Sequence, residues 1–142
     1  MPTTTAGPVT PPGAVRAYSA LLDLVTLLIV VQATLAGVFL QKDGGREGYR
    51  SWISAHNGVG AAAVVLSVAA AALAFARLRH RRDLVVGSVA LTVLLVAEDG
   101  LGSAISGGST GLTVVHVPLA MALMGLAVWL VVRAIQLRRG NG

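Results

Sequence analysis

The sequence predicts an all-α fold, an antiparallel bundle of four transmembrane helices, on three observations. The 142 residues are 55% hydrophobic and 12% charged, with a mean hydropathy of +0.77, far more apolar than an ordinary soluble domain. The charges fall in clusters that leave four apolar blocks, each near the ~20 residues that cross a hydrocarbon core about 30 Å thick. The joints between blocks are short, so neighbours in sequence become antiparallel neighbours in space.

Residues 1–17 hold four of the five prolines together with Thr and Gly. Such a segment buries too little surface to fold and is expected as a flexible cytoplasmic tail. The bundle is expected over 18–137. Its first block runs from Tyr18 to Leu40, and a secretory signal is the competing reading. Only Arg16 would supply the positive start of a signal, the apolar run is longer than a usual signal core, and no convincing small-x-small site ends it. The block is therefore read as a retained helix. The second block runs from Ser51 to Ala76, the third from Leu84 to Ile105 and the fourth from Leu112 to Val132; residues 138–142 form a basic cytoplasmic tail.

Lys and Arg accumulate on the cytoplasmic side of membrane proteins. Arg16, the cluster Arg77, Arg79, Arg81 and Arg82, and Arg133, Arg138 and Arg139 share one face, eight residues in all. The other face has Lys42, Arg46 and Arg50, offset by Asp43 and Glu47, and the joint Ser106–Gly111 has no charge. Both termini are expected in the cytoplasm and the chain in the cell's inner (plasma) membrane. The net charge of +5 and a pI near 11.1 are met by anionic lipid headgroups, without a nucleic-acid partner. Cysteine is absent, which excludes disulfides and thiolate-ligated centres. Arginine outnumbers lysine ten to one, the imprint of a GC-rich bacterial genome.

A faint internal duplication runs through the chain. Gln32-Ala-Thr-Leu35-Ala-Gly37 aligns with Glu98-Asp-Gly-Leu101-Gly-Ser103, and each is followed by a block that opens with a histidine, so that His56 and Leu66 match His116 and Leu126. Two helix pairs about a pseudo-two-fold axis along the membrane normal would place a special site on that axis.

His56 and His116 are lone ligand-type residues in long apolar segments, and such residues are costly in lipid unless they share a partner. Both blocks run inward, and at 1.5 Å per residue the two histidines lie about 6–8 Å below the block starts. Helices two and four of an up-down bundle sit on the diagonal, roughly 11–14 Å apart. Two imidazoles reaching inward across that gap can ligate one iron from opposite faces of a flat macrocycle, so the expected cofactor is heme b, with His56 and His116 as metal ligands.

Gly60, one turn after His56, and Ala120, one turn after His116, give a ring edge room to approach the backbone; small residues also mark ordinary helix packing. Pro118 frees the Val114 carbonyl from its helix bond, which reads equally as a tolerated early-helix proline or as a device that aims His116. Glu98, with Asp99 and Gln32 at the same depth, could accept a proton from a ligand's second ring nitrogen. Alternatively block three ends near Ala97 and both acids lie among headgroups. Arg50, with Arg46, Trp52 and Asn57, borders the outer pocket, where an arginine could pair with heme propionates; Trp52 and Tyr49 also fit an interfacial aromatic anchor. His80, inside the Arg77–Arg82 cluster, reads as a solvated loop residue.

The segments Val30-Val-Gln-Ala-Thr-Leu-Ala-Gly37, Ala55-His56-Asn57 and Val115-His116-Val117-Pro118-Leu119-Ala120 resemble one four-helix half of bacterial heme A synthase. They are similar also to small four-helix membrane proteins of high-GC bacteria with one histidine in helix two and one in helix four. The resemblance covers about residues 20 to 135 and implies paired histidines holding heme near the extracytoplasmic side. The chain departs from that family in having one half, no cysteine pair in the first outer loop and no counterpart of the catalytic acid after helix one, unless Glu47 serves. The resemblance thus implies a bis-histidine b-type heme and not oxidation of a porphyrin methyl group.

Three functions follow from these residues. The first is a membrane cytochrome that transfers electrons or senses redox state, with a redox partner protein or a quinone as counterpart and a homodimer compatible with so thin a bundle. The second is a non-catalytic subunit or assembly partner whose polar residues only bridge helices. The third is a zinc or copper site built from His56, His116 and Glu98 or Asp99. The chain is not expected to be an enzyme by itself.

Overall fold

The computed structural model describes residues 11–41 and 46–140, with 39–41 and 46–49 described in backbone only. Residues 1–10 of the expected tail, Lys42 and Asp43, the last two residues, and the side chains of Arg46, Glu47 and Tyr49 lie outside the described residues. Four helices make up the described residues: α1 (Pro12–Gln41), α2 (Arg46–Arg77), α3 (Arg82–Ser106) and α4 (Thr113–Gly140), with a 3-10 turn, Thr110–Leu112, before the last. The described residues contain no strand. Each helix contains a stretch long and apolar enough to cross a membrane, by length and composition.

The first helix opens at Pro12, inside the segment expected as tail. Proline at the first helical position has no N–H to leave unsatisfied and a φ already suited to the helix. The next turn is anchored by the Pro11 carbonyl, which accepts from Ala14 N at 3.0 Å and Val15 N at 3.3 Å. Val15 adds a rung to the buried stripe Tyr18, Leu22, Val25 and Ile29, so the extra turn has a core to pack on. The second helix likewise starts at Arg46, well before the apolar block. The third runs unbroken to Ser106, which corrects the reading that it stops near Ala97: Glu98 and Asp99 are helical. The α2–α3 joint is a tight turn closed by Arg81 N donating to the Leu78 carbonyl at 2.7 Å. The α3–α4 joint turns on Gly108, whose φ of +111° only glycine adopts freely.

The helices pack in a square. α1 lies against α2 and α4, α3 lies against α2 and α4, and among the described residues no close backbone approach crosses either diagonal, as an up-down bundle requires. The buried residues repeat in the register of the duplication. Tyr18, Leu22, Val25 and Ile29 of α1 correspond to Leu84, Ser88, Leu91 and Leu95 of α3; Ala63, Ser67, Ala70 and Ala74 of α2 correspond to Ala127's neighbour Leu123, then Ala127, Leu130 and Ala134 of α4; all are buried. Each half therefore presents the same faces to a common axis.

At the end that carries the arginine cluster, the core is filled and latched. Tyr18 crosses the diagonal, its hydroxyl 2.7 Å from Ser88 Oγ. Asp83 at the start of α3 accepts from Arg133 of α4 at 2.7 and 3.1 Å and from Arg81 at 3.2 and 3.3 Å. Towards the other end the fully apolar packing stops at Ile29, Ala63, Leu95 and Leu123, and Ile29, Leu95 and Leu123 become the floor of a cavity.

Candidate functional site

The cavity above that floor measures about 670 Å³ and is walled by all four helices. Its lining again follows the duplication. Ile29, Gln32, Ala33 and Ala36 of α1 stand where Leu95, Glu98, Asp99 and Gly102 stand on α3, while His56, Asn57 and Gly60 of α2 match His116, Val117 and Ala120 of α4. The cavity thus lies on the pseudo-two-fold axis, with one histidine from each half.

His56 is held by α1. Its Nδ1 lies 3.2 Å from the Gln32 carbonyl oxygen. A carbonyl can only accept, so Nδ1 carries the proton and Nε2 the lone pair of the neutral ring. The Gln32 amide packs on the backbone of Gly60, where a Cβ would collide with Nε2 of that side chain. The room expected at Gly60 for a macrocycle edge is therefore taken by Gln32, and the glycine serves the α1–α2 contact that fixes His56. Open space lies instead at Gly37, where an added Cβ would meet no neighbouring atom within 4 Å, beside Ala33 and Ala36.

His116 is held by α3. Its Nδ1 is 2.6 Å from Glu98 Oε2, and its Cε1 faces Gly102, one turn on from Glu98, at 3.6 Å from the Cβ position. The carboxyl oxygen stands off the N–H axis, so the contact is one of close approach and not a directed hydrogen bond. Glu98 is 7% exposed, and its Oε1, like Gln32 Oε1, is buried without a hydrogen-bond partner. Asp99 and Asn57 are exposed at the cavity rim.

The expected depth needs correction. His56 lies about 15 Å along α2 from Arg46, and His116 about 4.5 Å along α4 from Thr113, at 1.5 Å per residue. They meet in one cavity because the first turns of α2 extend past the start of α4. Of the residues singled out in the sequence, His56, His116, Gly60, Ala120, Glu98, Asp99, Gln32 and Asn57 are brought together; Arg50 is exposed and, like Trp52, does not line the cavity. His80 sits exposed in the α2–α3 turn. No group of three or more His, Asp or Glu side chains is placed to hold a metal ion among the described residues.

No family model, curated protein or solved structure matches this chain. The site must be read from its own geometry. Sequence reasoning missed Gly102, Ala36, Met121 and Met124 as wall residues. The signal was present in the helical period, since Ala36 follows Gln32 and Gly102 follows Glu98 by one turn on the same face.

The arrangement offers two imidazoles from diagonal helices, each engaged at Nδ1 by the helix that precedes it. For His56 the bond to the Gln32 carbonyl is of the kind by which proteins fix the tautomer and ring plane of metal-ligating histidines. The volume falls in the range of cofactor pockets, about 300–1,000 Å³, and the small side chains of Ala33, Ala36, Gly37 and Ala120 leave flat walls.

Proposed function

We propose that the chain is an integral protein of the plasma membrane, with both termini in the cytoplasm, that binds one heme b between α2 and α4 and works as a cytochrome-like electron carrier or redox sensor. The observation that carries this reading is the shared cavity of His56 and His116, positioned by Gln32 and Glu98. His56 and His116 would hold the heme iron, Gln32 and Glu98 would position their rings, and Ala33, Ala36, Gly37 and Ala120 would border the group. Heme supplies one-electron chemistry when bound. The protein's part is to fix the ligands, exclude water with the floor of Ile29, Leu95 and Leu123, and keep the Glu98 carboxyl group near one ligand.

The eight arginines of the α2–α3 turn and of the two bundle ends beside it support the orientation, in which the cavity would lie near the outer surface. Protein purified from heme-sufficient cells tests the reading. A Soret band with one iron per chain, absent from the double variant His56→Ala with His116→Ala, is expected. Colourless, metal-free protein that co-purifies with a larger partner would replace it with the cofactor-free subunit reading.

A further inference from the structure

We infer that His116 is the exchangeable member of the histidine pair, and that a small neutral diatomic molecule can take the coordination position it leaves. The inference rests on the heme reading and adds a ligand class to the same site. The two histidines occupy equivalent positions but are anchored unequally. His56 lies deep within α2, tied to a backbone carbonyl that cannot move without α1, and the Gln32 amide is wedged against Gly60 behind it.

His116 lies in the first turn of α4, directly after the 3-10 turn and Gly108 with its φ of +111°. Pro118 lies inside the same helix, has no N–H and leaves the Val114 carbonyl without its helix bond. The Nδ1 contact of His116 is to a side chain, Glu98 Oε2 at 2.6 Å, and not to a backbone carbonyl, and only Gly102 lies opposite its Cε1. The wall on the α4 side is Val117, Ala120, Met121 and Met124, which offers no hydrogen-bond donor and so suits an uncharged ligand.

Mixing carbon monoxide with the reduced, heme-loaded full chain tests this. The expected result is a carbon monoxide adduct whose formation rate saturates with ligand concentration, because release of His116 limits it. Pro118→Ala restores a helix bond and should slow that rate about fivefold, the factor corresponding to one net hydrogen bond. His116→Ala should keep its heme and react in one fast phase, whereas His56→Ala should lose heme. Heme-loaded protein that forms no adduct, or retention of heme by His56→Ala and not by His116→Ala, would overturn the inference alone. A chain that takes up no heme overturns the cytochrome reading with it.

Discussion

Glu98 and His116 meet at 2.6 Å across α3 and α4, and the carboxylate that makes the contact is 7% exposed with its second oxygen unpartnered. A pair of this kind is costly to break from one side. Replacing His116 by Leu leaves Glu98 buried alone and should destabilise the protein by on the order of 1–3 kcal/mol. Replacing both, Glu98→Leu with His116→Leu, should recover most of that loss. Unfolding in detergent of the single and double variants reads the difference, and a double variant less stable than His116→Leu would show that the two side chains do not act as a pair.

The Gln32 amide leaves no space for a methyl group at Gly60. Gly60→Ala should displace that side chain, loosen the carbonyl contact to His56 and cost about 1–3 kcal/mol, the usual range for overpacking. On a Gln32→Ala background the same substitution should be close to neutral, because the obstacle is gone. Equal cost in both backgrounds would contradict the contact.

The Tyr18–Ser88 bond at 2.7 Å lies far from the cavity. Tyr18→Phe should lower stability by about 1 kcal/mol, and Ser88→Ala by a similar amount, with the double variant costing less than their sum. Heme uptake by Tyr18→Phe should match the native chain. A loss of uptake would mean that the two ends of the bundle are coupled.

Asp83 holds Arg133 and Arg81 at side-chain exposures between 26% and 36%, so solvent screens the interaction. Asp83→Asn should therefore cost no more than about 1 kcal/mol, and less at high salt. Thermal unfolding at two ionic strengths measures it; a large, salt-independent loss would place these charges in a drier setting than the exposures indicate.

The absence of cysteine makes topology directly readable. Single cysteines at Ser109 and at Arg139 should react with an impermeant thiol reagent from opposite sides of intact cells, Ser109→Cys from outside. Labelling of Arg139→Cys from outside would reverse the orientation.

Hydropathy made the four helices legible, because apolar blocks of spanning length leave the chain few alternatives. Their ends were not. A helix continues past its apolar block wherever its backbone bonds can still form, as at Pro12 and at Arg46, and hydropathy carries no signal there. The faint repeat set Gln32 and Glu98 at equivalent positions and at the depth of the two histidines; which histidine each one meets came from the helix packing, Gln32 with His56 and Glu98 with His116. Arg50 was misplaced for a geometric reason: six residues before His56 is about 240° around a helix, away from the cavity. The role of Gly60 depended on how α1 is rotated against α2, which no single helix pattern encodes. Asp83 as the latch for Arg133 was hidden in a cluster read only for its sum of charge.

The paired-histidine site is tested most directly by the electron paramagnetic resonance spectrum of the ferric, heme-loaded protein. The native chain should give a low-spin signal of two imidazole ligands that disappears on replacing either His56 or His116 by Ala. The same low-spin signal in both single variants, or native protein that acquires no heme at all, would contradict it.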